Sequence, residues 1–379
     1  MNRSEKPRFD PAAAPKILLI RLRRIGDIIM TTPAVEAVKR ALPRASLSYV
    51  VEDPLRRLVE GNPHIDRVMA IPAKQGAADF ARFVRGLRRE TYDAVIDFHG
   101  GPRASRIAWL ARAKFKVGYE LKYKGWIYDA RVPRSAAGAP IHSVENHLNL
   151  VRALGIEVEG PAPPLWLPDS SATEKAGIDR LWAEMGLGGA KVVVLHVGAG
   201  NEFRDWGEEN LGALAGRLAA LPGVKVVLAG AEPDRPRAER ISAGCQRAAA
   251  DTRTGPSIHP ADDPVCNAQR IPSGSAAAVI SLAGRINLIE LREVIARAAL
   301  FVGPDSGPMH IAATTRTPVV ALFGPTLPDH FAPWRAEATV VSKELACRPC
   351  KQRECVTQDF RCLRTITVDE VFAAARKYL

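Results

Sequence analysis

The sequence predicts an α/β protein made of two Rossmann-like domains, each built around a parallel sheet. Short β-branched runs alternate with amphipathic helical patterns, which is typical of parallel βαβ construction. The alternation restarts after the Pro-rich segment Pro161–Asp169, which we interpret as an interdomain linker. The length of 379 residues agrees with two domains at roughly 150 residues each. We therefore expect domains over residues 1–165 and 170–345, followed by a Cys-rich segment and terminal helix over 346–379.

The predicted elements follow this order along the chain. In the first domain we expect strands Lys16–Leu22, Leu47–Val51, Val68–Ile71 and Ala94–Phe98, and the helix Ile28–Ala41. In the second we expect strands Val192–Val197, Val224–Ala229, Val279–Leu282, Leu300–Val302 and Val319–Phe323, and helices Glu208–Ala220, Leu288–Ala299 and Gly307–Thr315. The polar residues 248–278 are interpreted as a surface insertion. The amphipathic segment Val368–Tyr378 predicts a helix that packs back across the domain boundary.

Composition and charge limit the class of protein. Hydrophobic residues make up 47% and charged residues 25%, which is ordinary for a soluble globular chain and excludes a disordered or collagen-like one. The first residues lack an apolar signal-peptide core, and the apolar runs are strand-sized, so a cytoplasmic chain is expected. The net charge is +12, and residues 1–160 hold 28 Lys and Arg against 17 Asp and Glu. This half is expected to meet an anionic partner: a nucleic acid, an anionic membrane face or a phosphorylated acceptor. A solvated basic surface without a partner is the alternative.

The first strand leads into Gly26-Asp27. A dinucleotide-binding fold would place G-x-G-x-x-G here, and only Gly26 is present, which disfavours an NAD or FAD enzyme. A carboxylate at the carboxyl edge of a parallel sheet lies where such folds bind ligands. Asp27 is therefore either a helix cap or a general base for an acceptor hydroxyl.

Two strands of the second domain are followed by candidate ligand contacts. Gly198-Ala199-Gly200 exposes backbone N–H groups after a strand, and Arg204 follows as a bidentate phosphate donor. Glu232 follows the next strand, where a carboxylate can accept ribose hydroxyls or simply be solvated.

A third turn joins a strand to a helix. Asp305, Ser306 and Gly307 stand at the predicted helix N-terminus, where free N–H groups favour phosphate, and His310 lies one turn inside as either a structural or a site residue. The chain has no D-x-D sequence, so a diphosphate is expected to be neutralised by Arg, N–H groups and helix dipoles without a catalytic metal.

Four of the six cysteines form a cluster near the end of the chain, whereas Cys245 and Cys266 are isolated. Cys347, Cys350, Cys355 and Cys362 have the spacing C-x2-C-x4-C-x6-C. In a cytosolic chain, such a cluster predicts either a structural zinc site or packed thiols and disulfides, and no catalytic role.

Together these motifs resemble the heptosyltransferases of glycosyltransferase family nine. The resemblance is carried by RLRRIGDIIMTTPAVEAVKRALP, LHVGAGNEFRDW, VVLAGAE and VGPDSGPMHIAATTRTPVVALFGPT, and covers roughly residues 16–328. It implies the GT-B fold, with two Rossmann-like domains and a cleft between them. It also implies metal-independent, inverting transfer of heptose from ADP-heptose to the inner core of lipopolysaccharide.

The resemblance assigns roles to residues of this chain. Asp27 matches the catalytic base, and Arg23 and Arg24 beside it are expected to bind the acceptor. The residues matching the donor site are Gly198, Ala199, Gly200, Arg204, Glu232, Asp305, Ser306, Gly307 and His310. Arg204 departs from the usual Lys, which keeps the charge and changes its geometry. The insertion 248–278 is also a departure.

The expected function is therefore heptosyl transfer, with ADP-heptose and the anionic lipid A–core as partners at the cytoplasmic face of the inner membrane. One alternative is a GT-B enzyme that uses another nucleotide sugar. A second is a non-catalytic binder of anionic surfaces or nucleic acid. Aromatic residues make up only 6% and no RRM, KH or helix-turn-helix pattern occurs, so no nucleic-acid partner is expected.

Overall fold

The computed structural model describes residues 14–74, 76–121, 125–134, 140–251 and 278–379, with the side chains of 249–251 excepted. Contacts within the chain separate two compact units, Met1–Pro168 and Asp169–Leu379. Within the described residues, no helix combines the length and apolarity needed to cross a membrane.

The first unit is a six-stranded parallel sheet with the strand order β3-β2-β1-β4-β5-β6. Its strands are β1 (Lys16–Ile20), β2 (Ser46–Glu52), β3 (Arg67–Ile71), β4 (Tyr92–Asp97), β5 (Ala113–Tyr119) and β6 (Ala130–Val132). Its helices are α1 (Ile25–Ile29), α2 (Thr32–Ala41), α3 (Ala77–Leu87), α4 (Pro102–Leu110) and α5 (Ser143–Arg152), with 3₁₀ turns at Asp53–Leu58 and Gly125–Ile127. The central strands β1 and β4 are buried, because helices cover a parallel sheet on both faces.

The second unit repeats this architecture with the order β12-β11-β10-β7-β8-β9. Its strands are β7 (Lys191–His196), β8 (Val224–Ala229), β9 (Val279–Ser281), β10 (Leu300–Pro304), β11 (Val319–Phe323) and β12 (Ala338–Ser342). Its helices are α6 (Ala172–Glu184), α7 (Glu208–Ala219), α8 (Arg235–Asp251), α9 (Leu288–Ala296), α10 (Gly307–Ala312), α11 (Pro328–Phe331), α12 (Arg361–Arg364) and α13 (Val368–Arg376), with 3₁₀ turns at Glu202–Arg204 and Glu232–Asp234. Counted from the start of each unit, both sheets have the Rossmann order 3-2-1-4-5-6.

Helix starts in the second unit follow from local sequence. Reciprocal capping boxes begin α6, α9 and α13, pairing Ser171 with Glu174, Asn287 with Glu290, and Thr367 with Glu370. Each box satisfies N–H groups that the first helical turn leaves without partners.

The segment after β1 differs from the prediction of one continuous helix. It forms two helices, α1 and α2, separated at Met30 and Thr31. Pro33 lacks an N–H group and cannot donate to the Ile29 carbonyl, so the series of helical hydrogen bonds is interrupted there. The hydroxyls of Thr31 and Thr32 donate to the carbonyls of Ile28 and Ile29 and complete the end of α1.

Strands β5, β6 and β12 were absent from the prediction. In β5, Lys114 and Lys116 alternate with the buried Phe115 and Val117, and the lysines obscure its apolar pattern. Strand β12 is an edge strand that is only partly buried.

The end of the chain belongs to the core of the second unit. Leu363, Ile366 and Val371 are buried against residues of β7, β8 and β10, and Nε1 of Trp206 donates to the carbonyl of Ile366 at 2.8 Å. The terminal helix, α13, was expected to pack across the domain boundary. Its buried residues instead belong to the core of the second unit. The predicted insertion 248–278 lies mainly outside the described residues, and its first residues, through Asp251, extend helix α8.

Candidate functional site

Each sheet has a switch point, where the chain stops adding strands on one side and starts adding them on the other. In the first unit this point lies between β1 and β4, where Ile20 pairs in register with Asp97. Ligands of open α/β sheets bind in the crevice outside the carboxyl ends of the strands at such a point. Asp27 follows β1, so the fold places it at this edge.

The orientation of Asp27 is fixed by Arg21. Nη2 of Arg21 lies 2.5 Å from Oδ2 of Asp27, and Nη1 donates to the carbonyl of Phe98 at 2.6 Å. The Arg21 side chain is 8% exposed and that of Asp27 27% exposed. Asp27 is therefore a carboxylate held from the buried side and accessible from the other.

The interpretation of Asp27 as a helix cap is wrong. Helix α1 begins at Ile25, its N-cap residue is Arg24, and no side chain makes a cap hydrogen bond there. Asp27 lies within the first turn, where its charge is favourable toward the helix dipole. Arg23 and Arg24, the expected acceptor residues, are both exposed just before α1.

A second carboxylate, Asp97, is buried beside this edge. It accepts hydrogen bonds from the Tyr128 hydroxyl at 2.6 Å and from the N–H groups of His99 and Gly100 at 2.8 and 2.9 Å. Burial raises the pKa of Asp97, and these donors oppose the shift. Gly118 makes room for the Tyr128 ring, since a Cβ at 118 would lie 2.5 Å from its carbons. Asp97 thus organises the loop that follows β4.

His99 is a neutral group at this edge. Burial, with a smaller contribution from the charge of Arg21, lowers the pKa of His99 to about 4. Its backbone carbonyl accepts from Nη2 of Arg134 at 2.8 Å. At neutral pH this histidine adds no positive charge beside Asp27.

In the second unit the switch point lies between β7 and β10. The loop Gly198–Gly200 follows β7, and Asp305 follows β10. Nη1 of Arg204 donates to the Asp305 carbonyl at 2.7 Å and lies 3.5 Å from its Oδ2. Nε donates to Oε1 of Gln352 at 3.1 Å. The sequence-predicted Arg204 and Asp305 therefore meet at this edge, although they are far apart in the chain.

The Asp305 carboxylate is held on several sides. The Thr326 hydroxyl donates to Oδ2 at 2.6 Å, and Nε2 of the buried His310 lies 4.0 Å from Oδ1. Ser306 and Gly307 follow at the start of the short helix α10. Asp305 thus has an internal role in joining β10, β11 and Arg204.

Glu232 lies further along the same edge. Its side chain is 64% exposed and pairs with Arg235 at 2.9 Å. Gly284 approaches it so closely that a Cβ there would lie 2.0 Å from Oε2 of Glu232. The neighbouring Asp234 packs in the same way on Gly198, where a Cβ would lie 2.4 Å from Oδ2 of Asp234. The glycine loop and the Glu232 turn are therefore adjacent.

Comparison with known proteins decides the family. The model of glycosyltransferase family 9 (heptosyltransferase) matches residues 80–253 and 257–360. The chain belongs to glycosyltransferase family 9. It is accordingly a glycosyltransferase, and the alternative of a non-catalytic binder is set aside.

Relatives and solved structures agree with this placement. Lipopolysaccharide heptosyltransferase 3 of Escherichia coli is 24% identical, over 83% of this chain and 84% of the relative. A family 9 glycosyltransferase from Veillonella parvula has a TM-score of 0.77 at 21% identity, covering 96% of this chain and 97% of that one. E. coli heptosyltransferase WaaC with ADP has a TM-score of 0.66 at 19% identity, covering 96% of this chain and 100% of that one. These structures show that the two Rossmann-like units form a GT-B fold.

A further solved structure contains a metal. The iron-containing dodecameric glycosyltransferase TibC from enterotoxigenic E. coli has a TM-score of 0.53 at 15% identity, covering 96% of this chain and 76% of that one. This likeness bears on the fold alone.

In this family 9 chain, Cys347, Cys350, Cys355 and Cys362 are free, half-buried thiols. Burial raises the pKa of Cys362, and the neighbouring thiols Cys347 and Cys350 raise it further. A hydrogen bond with Thr357 lowers the pKa of Cys355. Across the described ranges, no three His, Cys, Asp or Glu side chains are arranged to hold a metal ion. The zinc site stays a prediction.

Several residues of this edge were missed by sequence reasoning. Arg21, Asp97 and Tyr128 form the support of Asp27 and the β4 loop, and Gln352 contacts Arg204. Arg21 and Asp97 stand at the ends of predicted strands, which is a signal that could have singled them out. Tyr128 and Gln352 come from distant segments and had no such signal.

Proposed function

We propose that this chain transfers a heptose from ADP-heptose to the inner core of lipopolysaccharide, with inversion at the anomeric carbon. The observation that carries the proposal is the accessible Asp27 carboxylate, held by Arg21 at the switch point of the first sheet. A general base must be oriented and must reach the proton it removes. The family's name and the E. coli relative support heptose as the transferred sugar.

In the proposed step, Asp27 takes the proton of an acceptor hydroxyl. The hydroxyl oxygen forms a bond to C1 of the heptose, the bond between C1 and the phosphate oxygen breaks, and ADP leaves with the electron pair. Arg21 holds the carboxylate in position before the proton moves. The neutral His99 is consistent with this role because it does not compete for the carboxylate as a cation.

Arg204 is the proposed contact for the donor diphosphate in the second unit. Its Nη1 and Nε are engaged by Asp305 and Gln352, while Nη2 makes no hydrogen bond within the described part of the chain. A guanidinium fixed on two atoms can present the third to a phosphate oxygen at little entropic cost. We propose that the diphosphate is also bound by the N–H groups of Ser306, Gly307 and the loop Gly198–Gly200. Glu232 is proposed to accept hydrogen bonds from the ribose hydroxyls.

The first unit is proposed to bind the anionic lipid acceptor. Its positive charge and the exposed Arg23 and Arg24 before Asp27 support this assignment. Because the acceptor is a lipid, we also propose peripheral association with the cytoplasmic face of the inner membrane.

The reaction is proposed to need no catalytic metal. The sequence has no D-x-D motif, and Arg204, backbone N–H groups and helix dipoles are proposed to neutralise the diphosphate instead. The Cys cluster, if it holds zinc, is proposed to have a structural role only, since it belongs to the segment that supports the second unit's core.

The direct test uses purified chain, ADP-heptose and a truncated core acceptor. Mass spectrometry should detect an acceptor heavier by one heptose, and NMR should show the inverted anomer. Parallel reactions with UDP-glucose and GDP-mannose control for another donor. Transfer from one of these and none from ADP-heptose would overturn the donor assignment.

A further inference from the structure

Two tryptophans of the first unit are exposed together. Trp109 is 52% exposed and Trp126 is 66% exposed, although both are large apolar side chains. Their rings pack edge to face, with centroids 6.2 Å apart and planes at 76°. Contiguous exposed apolar surface marks an interaction site more often than scattered single residues do. The pair is therefore a candidate docking surface.

The fold holds this pair on ordered backbone. Trp109 stands in the last turn of α4, whose opposite face is buried through Ala104 and Ile107. Nζ of Lys116 donates to the Trp109 carbonyl at 3.1 Å. Trp126 belongs to the 3₁₀ turn anchored two residues later by the Tyr128–Asp97 hydrogen bond. Both rings are presented by fixed elements, so their exposure is built into the fold.

The surrounding segment concentrates positive charge. Residues 102–134 contain nine Lys and Arg against two Asp and Glu, a net charge of +7 out of +12 for the whole chain. Exposed Arg112 and Arg131 make no ion pair with a described residue, whereas Lys114 is paired with Asp93 at 2.7 Å. Asp129, one of the two acids, accepts from the Lys116 N–H group. Among the described residues, exposed Arg106, Arg112 and Arg131 thus lie within a few residues of the two tryptophans in the chain.

We infer that Trp109 and Trp126, with Arg106, Arg112, Lys116 and Arg131, dock this chain on an anionic phospholipid surface. Tryptophan favours the membrane interface, because its ring is apolar and its N–H group can be hydrated. Each basic residue near an anionic leaflet strengthens binding by about fivefold. This inference rests on the proposed peripheral membrane association and is independent of the transfer reaction.

Single-stranded nucleic acid also binds basic, aromatic surfaces. It requires ring faces that stack successive bases along a groove. Here the edge of one tryptophan meets the face of the other, which leaves no row of parallel faces. The geometry favours insertion into a lipid interface.

The test is vesicle co-sedimentation of the full chain. Vesicles of phosphatidylcholine alone are compared with vesicles containing phosphatidylglycerol, at low and high salt. We expect binding only to the anionic vesicles, with a blue shift of tryptophan emission. Raising the salt should weaken it at least tenfold, since surface attraction is screened beyond a Debye length of about 10 Å at 0.1 M.

Variants identify the surface. Trp109→Ala/Trp126→Ala should reduce vesicle binding about tenfold or more and remove the blue shift, and Arg112→Glu/Arg131→Glu should reduce binding at least tenfold. The matched control, Lys175→Glu/Arg180→Glu, makes the same charge change at exposed positions of α6 in the second unit. It should bind within about twofold of wild type. Equal binding by the tryptophan variant and wild type would overturn the inference.

Two further readouts separate this inference from the proposed function. With a water-soluble core oligosaccharide as acceptor, Trp109→Ala/Trp126→Ala should keep its kcat. If no transfer occurs with any variant while vesicle binding depends on the tryptophans, the proposed function fails and the docking surface stands. Tryptophan-dependent binding to an RNA oligomer without binding to vesicles would overturn the docking proposal.

Discussion

Nη2 of Arg21 lies 2.5 Å from Oδ2 of Asp27, and the same guanidinium reaches the Phe98 carbonyl at 2.6 Å. The buried Arg21, which directly follows β1, therefore connects Asp27 to Phe98, the residue that directly follows β4. Asp27 gains a fixed position at the switch point, although it is six residues beyond Arg21 in the chain.

Replacing Arg21 should impair the proposed base without removing it. Arg21→Met is expected to lower kcat by about 10- to 100-fold with little change in the donor KM, because it releases Asp27 from its position. Arg21→Lys should be intermediate, because one ammonium cannot reproduce both contacts.

The matched control for Arg21 is Arg103→Met, which removes a different half-buried ion pair of the same unit, with Glu52 at 3.0 Å. Its kcat should match that of wild type. If Arg21→Met also keeps the wild-type kcat, Arg21 does not position Asp27.

Arg204→Ala should weaken ADP binding by about 1.5–3 kcal/mol, since it removes a charge-assisted contact with the diphosphate. Arg204→Lys should recover much of this loss. Gln352→Ala is a useful control, because it removes the partner of Nε and leaves the guanidinium. Titration calorimetry that shows unchanged ADP affinity in Arg204→Ala would exclude the contact.

Metal dependence has two separate expectations. Transfer should persist after brief EDTA treatment, because the sequence has no D-x-D pair for a catalytic ion. Loss of activity that Mg²⁺ or Mn²⁺ restores would contradict this. For the Cys cluster, elemental analysis of freshly purified, reduced protein separates the two alternatives: near one zinc per chain would support a structural zinc site, and no metal with four titratable thiols in the cluster would eliminate it.

Burial of His196 predicts a pH-dependent stability. Burial lowers the pKa of His196 to about 4, below its unfolded value of 6.5. The contribution of neutral His196 to the free energy of unfolding is therefore fully present above pH 6.5 and is lost as the pH falls toward 4. Between pH 7 and 5, wild type should lose about 2 kcal/mol more unfolding free energy than His196→Asn.

Urea unfolding at the two pH values measures this difference. The control is His330→Asn, which makes the same change at a half-buried histidine. Between pH 7 and 5 this variant should lose as much unfolding free energy as wild type. Equal losses in wild type and His196→Asn would show that His196 does not carry the effect.

The sequence predicted the fold better than the details of the site. Apolar strands such as Val192–Val197 are identified by composition alone, because parallel strands are buried on both faces. Gly26-Asp27 and Asp305 were located by their position after such strands. The break at Thr31 was missed because Pro33 interrupts an otherwise helical pattern, and strand β5 was missed because Lys114 and Lys116 obscure its apolar residues.

The supporting residues were harder to predict for a different reason. Tyr128 reaches Asp97 only because Gly118 leaves space on the neighbouring strand. Gln352 reaches Arg204 across 148 positions of sequence. Such contacts depend on tertiary packing and carry no local signature.

Asp27→Asn tests the central claim most directly, because it removes the proposed base and preserves the shape of the side chain. Steady-state transfer should fall by at least about 100-fold, while calorimetry with ADP should give an affinity within about twofold of wild type, as expected when only transition-state chemistry is lost. An Asp27→Asn enzyme that keeps most of its kcat would contradict the assignment of Asp27 as the general base.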